Sequence, residues 1–252
     1  MASREEQKRK ARAEREAAEA AAAETAALRK RTAYLAAGVG LIALIVVVAL
    51  VLVSQSSDDD KTVDSKDVFA GVPMKDITMG DPNAPVTVVE FADLQCPFCR
   101  DFAVHDLPGI VKDYVKPGDV KMELRLLAFI GGDSELGRSV AAGAAQQDLI
   151  WPFAENVYNN QGTENSGYMN EDFLRDQAEA VSGLDVDQAF TDSTSDAAQQ
   201  YATESDQEAQ DAGVSSTPSF AVTPEGGETK VVDADGLTDA IDDALAEADS
   251  GK

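Results

Sequence analysis

The fold can be read outward from the stretch VTVVEFADLQCPFCRDF, residues 86–102. Its first seven residues are a β-branched and aromatic run, and GDPNAP (80–85) bounds it upstream as turn-forming sequence. That combination reads as a buried strand. CRDFAVHDLPGIVKDYV (99–115) then places apolar residues at helical spacing. Between strand and helix lie Cys96 and Cys99, the only two cysteines in 252 residues.

A C-x-x-C at a strand-to-helix junction is where a redox couple gains most from its surroundings. The thiolate is the attacking species, and the free amides and dipole at a helix N-terminus stabilise negative charge. Pro97 suits the first helical position, because its missing N–H has no partner to lose there. Cys96 is therefore expected at the N-cap, exposed. Cys99 falls about 60° away on the same helix face, since three steps of ~100° make roughly 300°, and is expected deeper. The roles are then unequal: Cys96 exchanges with the substrate and Cys99 resolves the mixed disulfide.

Other uses of the pair fit less well. A zinc site wants four ligands, and one C-x-x-C plus the single histidine, His105, supplies three. On a regular helix His105 points about 180° from Cys96, which also argues against a Cys–His hydrolase and makes His105 a surface or packing residue. A metal shared between two chains remains an alternative. A purely structural disulfide would close too short a loop to restrict the unfolded chain much.

Downstream, DVKMELRLLAF (119–129) alternates as a strand does, and residues 133–211 carry helical patterns and no convincing strand. Trp151 and Phe153 lie in that block and read as packing residues. PSFAVT and TKVVDA form two short strands about the turn PEGG, and LTDAIDDALAEA closes the chain as an amphipathic helix. The order is that of an α/β domain with helices covering a sheet.

Upstream, residues 33–53 (AYLAAGVGLIALIVVVALVLV) contain no charge and no proline. At ~1.5 Å per residue they span about 31 Å, enough for a single transmembrane helix. Arg29, Lys30 and Arg31 precede the run and SQSSDDD follows it, so the positive-inside rule puts the N-terminus in the cytoplasm and the following domain outside. A cleavable signal peptide would have a shorter apolar core and an A-x-A-like site. The run offers neither, and the expectation is an uncleaved signal-anchor. Residues 1–32 read as a charged, solvated helical tail, residues 54–70 as an extracytoplasmic linker, and residues 71–252 as the folded domain.

Charge excludes one class of partner. The chain has 46 acidic against 21 basic residues, and nine of the basic ones lie in residues 1–32. Beyond the tail, 40 acidic residues face 12 basic ones. Such a surface repels phosphate backbones, so no nucleic acid partner is expected. Solubility and adaptation to high salt both account for the acidity.

GDPNAPVTVVEFADLQCPFCRDF (80–102) together with GVSSTPSFAV (213–222) resembles the DsbA-like thiol–disulfide oxidoreductases of the thioredoxin superfamily, in their membrane-anchored bacterial form. The resemblance covers residues 71–248. It implies a thioredoxin-like α/β fold with a helical insertion at about 133–211, preceded by the transmembrane helix. It implies that Pro218 is a cis-proline facing the active-site cysteines, and that Thr217 offers backbone groups to an extended substrate. Glu90 stands where the family carries a buried acid able to shuttle the proton of Cys99; the plainer reading is an edge or surface glutamate. Pro97 and Phe98, between the cysteines, tune the site. A strongly oxidising member carries Pro-His there and Val at the position of Thr217, and both departures bear on oxidising strength. The implied activity needs no cofactor or metal. Its partners are unfolded or reduced secreted proteins and a membrane-embedded reoxidising partner. Two alternatives remain: a reductase or isomerase on the same fold, and a tethered chaperone-like binding module.

Overall fold

The computed structural model describes residues 68–250. The predicted membrane span at 33–53 and the tail before it lie outside these residues. Among the described residues no helix is long and apolar enough to cross a membrane. Six strands form one sheet in the order β1-β2-β4-β3-β5-β6. They are β1 (Met74–Lys75), β2 (Thr78–Met79), β3 (Val86–Ala92), β4 (Val120–Leu126), β5 (Ser219–Pro224) and β6 (Lys230–Val232). The central β3 runs parallel to β4, from Val86 opposite Val120 to Ala92 opposite Leu126. It runs antiparallel to β5, with Glu90 opposite Phe220. Flanked on both sides, it is mostly β-branched and apolar, with Thr87 and the buried Glu90 as its polar residues.

The crossover from β3 to β4 is a helical run over residues 97–115. It contains α1 (Pro97–Asp101) and α2 (Leu107–Ile110), each followed by a π-helical turn, Phe102–Asp106 and Val111–Val115. The regular helix expected from the sequence is therefore widened. The Leu107 N–H bonds to the Phe102 carbonyl, five residues back. Pro108 follows with no N–H to give, and a wider turn before it accommodates its ring. His105 sits in the first π turn, so its direction does not follow from 100° steps. Its ring is half exposed, with Nδ1 3.0 Å from Asp101 Oδ1.

Five helices separate β4 from β5: α3 (Gly132–Ala145), α4 (Ile150–Asn159), α5 (Glu171–Glu179), α6 (Val186–Asp192) and α7 (Asp196–Asp211). This is the α/β arrangement with a helical insertion that the sequence implies. α3 and α6 pack so closely that a Cβ on Gly143 would collide with the Ala189 carbonyl. The closing helix α8 (Ala234–Ser250) returns to the sheet.

Strand alternation divides the core. Val86, Val88 and Ala92 face a large apolar cluster with Phe102, Ile110, Trp151, Phe153 and Ile241. Phe91 faces a smaller one with Leu127, Ala209 and Ala221. Trp151 is buried and donates its indole N–H to the Ile77 carbonyl at 2.9 Å. Phe153 is wholly buried. Val68 and Phe69, at the end of the stretch read as linker, are buried in the larger cluster.

Candidate active site

The loop from β3 into α1 is fixed by its own aspartate. Asp93 has no exposed surface. Its Oδ1 accepts hydrogen bonds from the Gln95 N–H (2.9 Å) and the Ser134 hydroxyl (2.7 Å), and its Oδ2 accepts one from the Ile130 N–H (3.0 Å). The Cys96 N–H closes the turn on the Asp93 carbonyl at 2.9 Å. An aspartate folding back onto the N–H two residues on is a standard turn-former. Here it also ties the loop to α3.

The insertion grips the same loop from the other side. The Gln161 side-chain amide donates to the carbonyls of Leu94 (2.9 Å) and Cys96 (3.1 Å). The Tyr158 hydroxyl donates to the Asp93 carbonyl at 3.3 Å. Three loop carbonyls are thus satisfied by residues more than 60 positions away.

Cys96 is the N-cap of α1, with φ −71° and ψ 121°, and Pro97 opens the helix. The exposure expected for Cys96 is not found: the residue is only 5% exposed. The cause is the segment before β5, where the Thr217–Pro218 peptide is cis and the Thr217 carbonyl lies 3.3 Å from Cys96 Sγ, accepting the thiol proton. Cys99 is wholly buried, and Phe98 between them is 72% exposed. Neither thiol is in a disulfide.

These surroundings separate two chemically identical thiols. Cys96 is lowered to about 6, first by the hydrogen bond from the Cys99 thiol. Burial opposes this, while the Thr217 side chain and the backbone amides of Cys99 and Phe98 add to it. Cys99 is pushed well above the ordinary thiol range by burial, by its hydrogen bond to Cys96 and by the charge of Cys96. The acidic thiol therefore arises without an imidazole at position 98.

Glu90 lies on the central strand, 2% exposed, opposite Leu124 and Phe220. It is neither an edge nor a surface residue. Desolvation raises its carboxyl to about 8, and its Oε2 has no hydrogen-bond partner. A carboxylic acid of that strength, close enough to influence Cys99, can give up or take a proton near neutral pH.

The structure therefore brings Glu90, Cys96, Pro97, Phe98, Cys99, Thr217 and Pro218 to one place. Sequence reasoning singled out none of Asp93, Tyr158, Ser134 and Gln161. An aspartate just before a turn was the one visible hint among them. Among the described residues no group of three or more His, Cys, Asp or Glu side chains is placed to hold a metal.

The sequence model of the family described as Thioredoxin matches residues 73–243. A "Probable disulfide bond formation protein D" of Bacillus cereus is 31% identical over 205 residues, covering 79% of this chain and 92% of that protein. The "Disulfide bond formation protein D" of Bacillus subtilis is 30% identical over 130 residues, covering 50% and 59%. Among solved structures, oxidised BdbD of Bacillus subtilis matches with a TM-score of 0.60 at 25% identity, over 68% of this chain and 93% of that one. Wolbachia pipientis α-DsbA1 shares the fold with a TM-score of 0.58 at 18% identity, over 73% and 98%. With the strand–C-x-x-C–helix junction, the helical insertion and the paired thiols of unequal acidity, these matches place the chain in the thioredoxin family, among its DsbA-like thiol–disulfide oxidoreductases.

Proposed function

We propose that the chain works in the oxidising direction, outside the membrane, and donates the Cys96–Cys99 disulfide to secreted or surface proteins. Residues 1–32 form the cytoplasmic tail, 33–53 the anchor, 54–70 the linker and 71–252 the catalytic domain. The observation that carries the reading is the contrast between the acidic Cys96 thiol, against the Thr217 carbonyl, and the buried, reluctant Cys99. A thiolate favoured in the dithiol state stabilises the reduced enzyme, which makes its disulfide the better oxidant. The names of the Bacillus relatives, which speak of disulfide bond formation, support the same direction.

An extended substrate pairs with backbone groups at Thr217, beside Pro218. A substrate thiolate attacks Cys96 Sγ, the Cys96–Cys99 bond breaks, and Cys99 leaves as a thiolate that takes a proton from Glu90. A second substrate thiolate attacks the substrate sulfur of the mixed disulfide and expels Cys96 as its stable thiolate. The substrate loses two electrons and becomes a disulfide, and the enzyme holds the dithiol. A membrane-embedded partner then takes the electrons and restores Cys96–Cys99.

The test uses the full-length chain, oxidised and held in detergent, mixed with a reduced unfolded protein. Disulfides accumulate stoichiometrically with the wild type and not with Cys96→Ser. Failure of the wild type to transfer, or undiminished transfer by Cys96→Ser, sinks the reading. The reduction potential discriminates direction: a value near about −120 mV supports an oxidase, one near about −270 mV a reductase.

A further inference from the structure

Asp93 ends the central strand, and each of its polar groups has a different task. Its carbonyl accepts from the Cys96 N–H at 2.9 Å and from the Tyr158 hydroxyl at 3.3 Å. Its carboxylate, with no exposed surface, accepts from the Gln95 N–H, the Ser134 hydroxyl and the Ile130 N–H. That leaves its own N–H. The preceding carbonyl, of Ala92, accepts from the Leu127 N–H at 2.7 Å, on the β4 side of the strand. The peptide between Ala92 and Asp93 is trans, and a trans peptide sends its N–H the opposite way from its C=O. The Asp93 N–H therefore leaves β3 on the β5 side. The register with β5 ends at Phe91, opposite Ser219, and past that point the N–H meets the Cys99 sulfur.

Cys99 needs such a donor for one moment only. When the disulfide opens, its sulfur departs with a full negative charge inside the protein, where an unsolvated charge is costly. Burial, the hydrogen bond to Cys96 and the charges of Cys96 and Glu90 all disfavour a thiolate there, whereas the Asp93 N–H favours it. A donor fixed in advance where charge develops lowers the barrier, because nothing has to reorganise during the reaction.

We propose that Asp93 is a positioning residue for the exchange reaction: its carboxylate, anchored on Ser134 and Ile130, locks the β3–α1 turn so that its own backbone N–H is aimed at Cys99 Sγ and stabilises the charge that leaves with that sulfur. The inference rests on the reading that Cys99 is the leaving thiolate, and it adds what holds the charge before the proton of Glu90 arrives. The substrate sulfur bonds to Cys96 Sγ, the Cys96–Cys99 bond breaks, and its electron pair goes to Cys99 Sγ under the Asp93 N–H. Ser134 belongs to α3, so the helical insertion helps to aim this donor and does more than shape the rim of the site.

The experiment follows opening of the disulfide by reduced glutathione in the oxidised full-length chain at pH 7, with acid quenching and peptide mass to place the glutathione. Asp93→Asn is expected to open about tenfold more slowly. Ser134→Ala, which leaves every charge in place, is expected to open about threefold more slowly. The reduction potential and the alkylation midpoint of Cys96 stay at their wild-type values in both, since neither the disulfide nor the dithiol state carries a charge on Cys99. Removing the negative charge of Asp93 would by itself favour an incoming thiolate, so slower opening cannot come from charge. Faster opening in Asp93→Asn overturns the inference, and so do wild-type rates in both variants. A shift in potential or midpoint that matches the loss in rate also overturns it, because the turn has then merely come apart. If Asp93→Asn does not fold, Ser134→Ala decides by the same readouts. Glutathione found on Cys99 and not on Cys96 overturns the assignment of the leaving thiol and the inference with it; glutathione on Cys96 with unchanged rates overturns the inference alone.

Discussion

Cys96 and Cys99 carry the same thiol three residues apart, and their difference is made entirely by neighbours. The Cys99 thiol, the Thr217 side chain and two backbone amides favour charge on Cys96, while burial denies it to Cys99. Alkylation of the reduced full-length chain by iodoacetamide is therefore expected to rise with a midpoint near pH 6, with no second labelled site until well into the alkaline range; a midpoint near the ordinary thiol value of about 8.5 contradicts this. Phe98 is exposed and offers no donor. Phe98→His is expected to lower that midpoint further, and each unit raises the reduction potential by about 30 mV. Equal potentials for Phe98→His and the wild type would show that position 98 does not reach the sulfur.

Glu90 couples the site to stability. Its carboxyl stands near 8 in the folded protein against an ordinary value of 4.5. The fold's share of stability from this group is therefore complete below pH 4.5 and is lost as pH rises through about 8. Glu90→Gln escapes the loss. It is expected to unfold at higher urea than the wild type at pH 8.5, by a difference on the order of 3–5 kcal/mol, and to match it near pH 4.5. Equal urea midpoints at pH 8.5 would mean that the carboxyl is not desolvated. What the sequence offered at this scale was residue type and spacing. Part of the acidity of Cys96 comes from Thr217, and Glu90 lies across the sheet from Phe220, each more than 100 positions away along the chain.

At the scale of elements, β4 is held by the insertion through single side chains. The Tyr201 hydroxyl of α7 donates to the Leu124 carbonyl at 3.0 Å and accepts from the Leu126 N–H at 2.8 Å. Arg125 of the same strand pairs with Glu208 at 2.7 Å. Tyr201→Phe leaves two strand groups buried without partners, a cost of about 1–3 kcal/mol. Urea unfolding measures it, and the Cys96 alkylation midpoint should not move; an unchanged urea midpoint would refute the clamp. The long strands and the helical insertion were legible because their apolar periodicities run over many residues. The two-residue strands β1 and β2 are too short to show a period, and the π turns of the run 97–115 were hidden because the apolar pattern alone does not report which carbonyl each N–H chooses.

For the whole molecule the dominant fact is a formal net charge of −25. Self-repulsion of that size opposes compaction and weakens as salt shortens the Debye length from about 10 Å at 0.1 M. Thermal unfolding of the full-length chain is expected to shift to higher temperature between low salt and about 0.5 M NaCl. A transition that falls with salt would show that favourable pairs such as Arg125–Glu208 and Arg138–Asp206 outweigh the repulsion.

Local sequence was enough for the strand–turn–helix junction, the cysteine pair at its apex, the helical block after β4 and the apolar run at 33–53. Each is written in neighbouring residues, where period, turn chemistry and composition act. It took the folded chain to bring Thr217 over Cys96 from 121 positions away, to set Gln161 on the loop carbonyls, and to anchor the Asp93 carboxylate on Ser134 and Ile130. Desolvation and hydrogen bonding depend on what is close in space, and a chain folded through five inserted helices brings together groups that no local pattern relates.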